Sequence, residues 1–196
     1  MGEKARSGYA KEVFVVSIDK QLLFISSQKF EEGKAIRGAF LLTDMDAKPL
    51  EFRCTNPIRP SSLQNILYGR MLQRHIMVEL IGLPLINSLK QLPSVVLVRD
   101  DDLLWLRPKI GTPIVRLAKR IATSTDTAGG RIPMLSSTSG KFAPLVLAEH
   151  EWHAGDIGSV TPLLTEAFNR FDLMEVFQRV VAALDEVHQQ KIGEAK

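Results

Sequence analysis

The sequence predicts an α+β fold: a mainly antiparallel sheet of about five or six strands, helices packed on one face, and an amphipathic helix at the C-terminus. Three observations predict it. Short apolar, β-branched or aromatic runs separated by polar turns fill the first third of the chain. Apolar residues at the 3.6-residue period fill the last third. The middle mixes both patterns without an internal repeat.

The elements follow in chain order. Val13 to Ile18 and Gln21 to Ile25 flank the polar pair Asp19-Lys20, the pattern of a hairpin. Ala35 to Thr43 and Pro49 to Thr55 flank Asp44-Met45-Asp46-Ala47-Lys48, a second hairpin with a longer loop. In its second strand Leu50, Phe52 and Cys54 alternate with Glu51 and Arg53, so one face is wet and Cys54 faces the core. Two prolines make Asn56-Pro57-Ile58-Arg59-Pro60 a connector, because they remove amide donors and bias their predecessors to extended geometry. Ser61 with Gln64 forms a capping box, so a helix should start near Ser62 and run through Leu63, Ile66, Leu67, Met71 and His75. Gly82-Leu83-Pro84 should interrupt it before a second short helix.

Ser94 to Arg99 reads as a buried strand, followed by Asp100-Asp101-Asp102 as either a hairpin turn or the acidic first turn of a short helix. Thr112 to Leu117 returns as a strand, and Thr123 to Gly140, rich in Ser, Thr and Gly, reads as a loop. Ala143 to Ala148 is strand-like. From Val160 the chain is helical, with Thr161 and Pro162 at the start and Leu173, Val176, Phe177, Val180, Leu184 and Val187 keeping the period. The expected organisation is one α+β domain over 1–196, with flexible tails at 1–10 and 189–196 and a mobile loop at 122–142.

Composition bounds the class of protein. A chain of 196 residues, 45% hydrophobic and 24% charged, can bury roughly two thirds to three quarters of its unfolded surface and needs no disulfide or metal to hold a core. The single cysteine, Cys54, excludes an internal disulfide and suits a reducing cytoplasm. Ile76 to Leu89, the longest apolar stretch, is broken by Glu79, Gly82, Pro84 and Asn87, so no membrane crossing is expected.

Charge is unevenly placed. Between Leu103 and Phe142 lie Arg107, Lys109, Arg116, Lys119, Arg120, Arg131 and Lys141 against the single acid Asp126, while the whole chain carries only +3. Such a field attracts phosphates, acidic protein surfaces or anionic lipid.

Candidate chemistry is sparse. Glu149-His150-Glu151-Trp152-His153 packs metal-ligand types together, with His150 and His153 as the candidate ligands, although zinc proteases space their histidines four apart. A polar surface stretch between strand and helix is the simpler reading. Cys54 could act as a nucleophile with His75 as its base, but a core position on an alternating strand predicts an inert thiol. Asp100, Asp101 and Asp102, with Asp44 and Asp46, could hold a divalent cation, and a solvated turn is the commoner meaning of adjacent acids. No Gly-rich phosphate loop and no Gly-x-Ser-x-Gly elbow is present, and no cofactor is expected.

The stretch Pro49-Leu50-Glu51-Phe52-Arg53-Cys54-Thr55-Asn56-Pro57-Ile58-Arg59-Pro60, followed by Gln64-Asn65-Ile66-Leu67-Tyr68-Gly69, resembles a segment of a family of uncharacterised bacterial proteins. The resemblance covers about a tenth of the chain and carries over no catalytic residue, cofactor or substrate. On the residues alone, Arg53, Asn56, Arg59 and Tyr68 could form a rigid polar patch around the connector, or the arginines could pair with nearby acids.

These readings favour a non-catalytic accessory protein or subunit acting through protein–protein contacts, with a protein partner or a homo-oligomer expected. The first alternative is a nucleic-acid-binding module in which Arg107, Lys109, Arg116, Lys119 and Arg120 line one face. The second is a small metal- or thiol-dependent hydrolase built on His150 and His153, or on Cys54 and His75.

Overall fold

A computed structural model describes residues 20–120 and 133–194. The expected strand over Val13 to Ile18 and most of the expected loop fall outside the described residues. The structure is α+β: a seven-stranded mixed sheet and five α-helices.

The strands are β1 (Leu22–Phe30), β2 (Ala35–Thr43), β3 (Pro49–Cys54), β4 (Val95–Val98), β5 (Ile114–Lys119), β6 (Met134–Leu135) and β7 (Leu145–Ala148), in the spatial order β3-β2-β1-β4-β5-β7-β6. β1 pairs antiparallel with β2, but β4 runs parallel to both β1 and β5. The expected mainly antiparallel sheet is therefore corrected at its centre. Val95–Val98 is buried at every position, as a central parallel strand covered on both faces must be.

The helices are α1 (Ser62–Tyr68), α2 (Met71–His75), α3 (Leu83–Asn87), α4 (Asp156–Arg170) and α5 (Leu173–Glu194). They cover both faces rather than the one expected. α4 and α5 close one face over Leu22, Phe24, Leu41, Val95 and Leu97, where the rings of Phe177 of α5 and Phe24 meet edge to face with their centres 5.3 Å apart. The other face, carrying Leu23, Ile25, Phe40, Val96 and Val98, is closed by α2, a π-helical turn (Ile76–Gly82), α3 and a 3₁₀ segment (Asp101–Lys109). All of β2 is buried, including Arg37.

The capping box forms as expected, with Ser61 Oγ accepting from Gln64 N and Gln64 Oε1 accepting from Ser61 N. The helix that follows is broken elsewhere than expected. Gly69, at φ 52, ends α1, and the chain then stays helical through Gly82 and Pro84 because the π turn passes directly into α3. Pro84 sits in the first turn of α3, directly after the π turn. The C-terminal helical region likewise begins before Pro162, at Asp156, after Gly155 at φ 114.

One glycine lets the helical layer lie close on the sheet, and a second lets the π turn lie close on the 3₁₀ segment within that layer. A Cβ on Gly38 of β2 would lie 2.1 Å from Ile81 Cγ2, and one on Gly82 would lie 2.5 Å from Leu106 Cδ1.

Candidate functional site

Because β1, β4 and β5 are parallel, their carboxyl ends share one edge of the sheet, the place where open α/β sheets bind ligands. That edge carries Lys29 at the end of β1, Arg99 and Asp100 after β4, and Lys119 and Arg120 at the end of β5. β7 runs antiparallel to β5, so its approach, Lys141 to Pro144, reaches the same edge. A cleft of about 750 Å³ lies there, lined by Lys119, Arg120, Lys141, Phe142, Asp172 and Met174. Lys119, Arg120 and Lys141 are exposed. The Lys141 ammonium stands 5.1 Å from the centre of the Phe142 ring, which itself leans on Phe168 of α4.

On the other face of this edge, the Ser27 hydroxyl of β1 donates to Asp100 Oδ2 at 3.2 Å. Burial pushes the Asp100 carboxyl above the usual aspartate range. The Ser27 hydrogen bond and Arg99 oppose the shift, while Asp102 and Asp101 add to it. Asp101 Oδ1 lies 2.7 Å from Arg116 Nε, an ion pair by distance but off the hydrogen-bonding line. The Asp100 to Asp102 run is the acidic start of the 3₁₀ segment, the second of the two expected conformations.

Metal-assisted phosphoryl chemistry draws on clustered carboxylates. Among the described residues no three of His, Cys, Asp and Glu stand together to hold an ion, and the β1 residues at this edge, Ser26, Ser27 and Gln28, are not acids. The described residues do not fit a resident divalent cation.

The basic segment does not form the single face expected of it. Arg107 makes a two-pronged bond to Asp156 at 2.6 and 3.1 Å, with both side chains largely buried. Lys109 pairs with Glu79 at 3.0 Å. Both close the 3₁₀ segment near where β5 begins, whereas Lys119 and Arg120 lie where it ends. The connector residues are also dispersed. Arg53 bonds Glu51, and with Asn56 it lines a separate cleft; Arg59 bonds Glu31; Tyr68 stacks at 4.7 Å on His75.

His150 is buried, 3% exposed, rather than part of a polar surface stretch. Its Nδ1 accepts from Trp152 N at 3.2 Å and its ring meets Trp105 edge-on at 4.7 Å. Desolvation, and then His153, holds its pKa below the ordinary histidine value. The His150 and His153 rings are 5.8 Å apart, without a third ligand among the described residues. Cys54 lies against the Arg37 guanidinium, 3.6 Å from Nη2, and joins the α4/α5 face, while His75 belongs to the helical layer on the opposite face. The thiol and the imidazole do not meet. Sequence reasoning missed the joining of Lys141 and Phe142 to Lys119 and Arg120, because only the β5–β7 register brings them together.

At the level of sequence, no family model and no curated protein matches the chain. Solved structures do match. A Ciona intestinalis Endonuclease V, in complex with a 23mer DNA containing an inosine followed by a ribo-adenosine, aligns at a TM-score of 0.55 and 12% identity over 88% of this chain and 88% of that one. The Bacillus subtilis Endonuclease V aligns at 0.54 and 13% over 89% and 84%. Human ENDOV aligns at 0.52 and 11% over 90% and 87%. The fold is that of Endonuclease V. The expected accessory-subunit reading is corrected by this finding, since the solved structures that share the fold are named as endonucleases. Among the described residues, no helix of this Endonuclease V-like fold is long and apolar enough to cross a membrane.

Proposed function

We propose that this protein binds nucleic acid at the carboxyl edge of β1, β4 and β5, with backbone phosphates on Lys119, Arg120 and Lys141 and a base against Phe142. The observation that carries the reading is the cleft itself, in which three exposed cations converge beside an aromatic ring. Cations tracking a backbone beside a stacking surface are what single strands require. The likeness of fold to an enzyme crystallised with DNA adds support.

Replacing Lys119, Arg120 and Lys141 together by alanine is expected to weaken binding of a labelled single-stranded oligonucleotide at least tenfold at low salt. It should also make the plot of log affinity against log salt shallower by about two units, since each neutralised phosphate of a single strand contributes roughly 0.7. Fluorescence anisotropy over graded salt measures both. An unchanged slope, or a wild type that binds no oligonucleotide at low salt, would end the proposal.

A second reading, hydrolysis of the bound strand, is favoured by Asp100, a carboxyl at this strand edge that burial pushes above the usual aspartate range, the direction a proton-transferring carboxyl requires. Its folded pKa is raised, so the stabilisation it gives is complete below the unfolded aspartate value of about 3.9 and is lost as pH rises through the folded value. Asp100→Asn carries no such charge. The variant should therefore be more stable than wild type at neutral pH, with the gain vanishing in acid, while cleavage of bound oligonucleotide disappears and binding remains. A variant that cuts as the wild type does, or a wild type that cuts nothing, sinks this second reading.

A further inference from the structure

Another cleft, of about 510 Å³, opens where β1 ends, on the side of the sheet covered by α2 rather than by α4 and α5. Lys29, near the end of β1, enters it from the same strand face as Ile25. Glu32 and Lys34 reach it from the turn into β2, and Arg70 and Gln73 from the junction of α1 with α2 and from α2 itself. The turn is tight. Lys34 N donates to Glu31 O at 3.1 Å, and Glu31, Glu32 and Gly33 all sit at positive φ, 54°, 55° and 88°. Left-handed backbone at two glutamates is strained, and such strain collects at ligand clamps.

The charges in this cleft are not answered by the protein. Three cations, Lys29, Lys34 and Arg70, face it against the one carboxylate Glu32, a net lining charge of +2. All three cations are exposed, and among the described residues none forms an ion pair or a hydrogen bond through its side chain. Glu31, whose carboxyl feels Lys34, gives both oxygens to Arg59. Arg74, one helical turn on from Arg70, is paired instead with Asp102 at 3.5 Å. Like charges gathered in this way repel one another, and an incoming anion relieves the repulsion.

The lining also selects the anion. It carries no aromatic ring, so it recognises a charged group rather than a base. A phosphate group bears roughly −1.5 to −2 charges near pH 7, which balances the walls. An arginine supplies a planar fork for phosphate oxygens and lysines supply mobile point charges. Gln73 brings an uncharged amide donor beside them.

We propose that the cleft between the β1–β2 turn and the α1–α2 junction binds a phosphate group, free in solution or at the end of a nucleic-acid strand, through Lys29, Lys34 and Arg70. The site lies across the sheet from Lys119, Arg120 and Lys141, and it stands without the nucleic-acid reading.

Calorimetric titration with inorganic phosphate at constant ionic strength should show saturable binding. The double variant Lys29→Gln, Arg70→Gln should weaken it at least tenfold, the loss expected of charge-assisted hydrogen bonds, while Arg70→Lys alone should weaken it less than Arg70→Gln. Both positions are exposed, so the variants should keep the wild-type urea midpoint. Alanine at Lys119, Arg120 and Lys141 should leave phosphate affinity unchanged. Oligothymidylate with a 5′-phosphate, compared with its 5′-hydroxyl form, identifies the source: tighter binding of the phosphorylated strand that Arg70→Gln removes assigns the site to a strand end, and equal binding of the two assigns it to free phosphate. Wild-type protein that takes up no phosphate overturns the site. So does phosphate binding that survives the double substitution, or that the three alanines abolish. If phosphate binds and neither oligonucleotide does, the interface reading falls and this site remains.

Discussion

Gly38→Val is expected to destabilise the protein by about 3 kcal/mol, the upper part of the usual cost of overpacking a closed core. The reason is local. β2 passes directly beneath the π turn, and the first added carbon would lie 2.1 Å from Ile81 Cγ2, well inside van der Waals contact. Either the helical layer lifts from Phe40, Val96 and Val98, or β2 leaves its register with β1. Urea unfolding should show a lower midpoint at unchanged slope, and adding Ile81→Ala should recover part of the loss, because the two positions share one space. A Gly38→Val midpoint within error of wild type would mean that the helical layer does not rest on the sheet as described.

Asp156→Ala is expected to cost about 3 kcal/mol. Asp156 takes both prongs of Arg107 and also accepts from the first amide of β5, Ile114 N, at 3.4 Å. It thus ties the start of α4, the end of the 3₁₀ segment and the start of β5 to one carboxylate. With side chains only 16% and 9% exposed, removing one partner strands the other in a poorly solvated place, the situation in which a buried pair becomes costly to break. The double variant Arg107→Met, Asp156→Leu should lie closer to wild type than either single change, since it leaves no orphan charge. Single and double variants of equal stability would show that the pair is solvated and contributes little.

What the sequence made legible was local. Ser61 and Gln64 announce a helix start three residues apart, and the bounds of β2, Ala35 to Thr43, are visible as an apolar run. What it hid was non-local. Val95–Val98 is readable as a buried strand, but that it lies between β1 and β5, and parallel to both, depends on partners far away in the chain. Arg37 and Gly38 fall within the run read as a strand, but nothing local shows that both are buried between helical layers.

The candidate sites were legible only in part. The basic segment stands out by composition, but ion pairing splits it: Arg107, Lys109 and Arg116 are drawn to Asp156, Glu79 and Asp101, and Lys119 and Arg120 remain at the cleft. The contact of Trp105 with Trp152 leaves no linear trace, because it joins the 3₁₀ segment to a separate short 3₁₀ turn, Glu151–His153, that only the packed fold brings alongside.

The placing of β1 also governs how the chain is made. Leu22 pairs with Val95, a partner 73 residues away, whereas β2 can close onto β1, and β3 onto β2, as soon as Cys54 has emerged, through contacts that are short in sequence. Synthesis at roughly 5–20 residues per second then leaves one side of β1 unpaired for seconds. During that interval Leu22 to Ile25, the most deeply buried run of β1, is an open template on the ribosome, able to recruit the same segment of a neighbouring nascent chain. Arrival of β4 closes it. Slowing translation between residues 54 and 98 is therefore expected to lower the soluble yield, which expression of variants with slow codons in that stretch would measure.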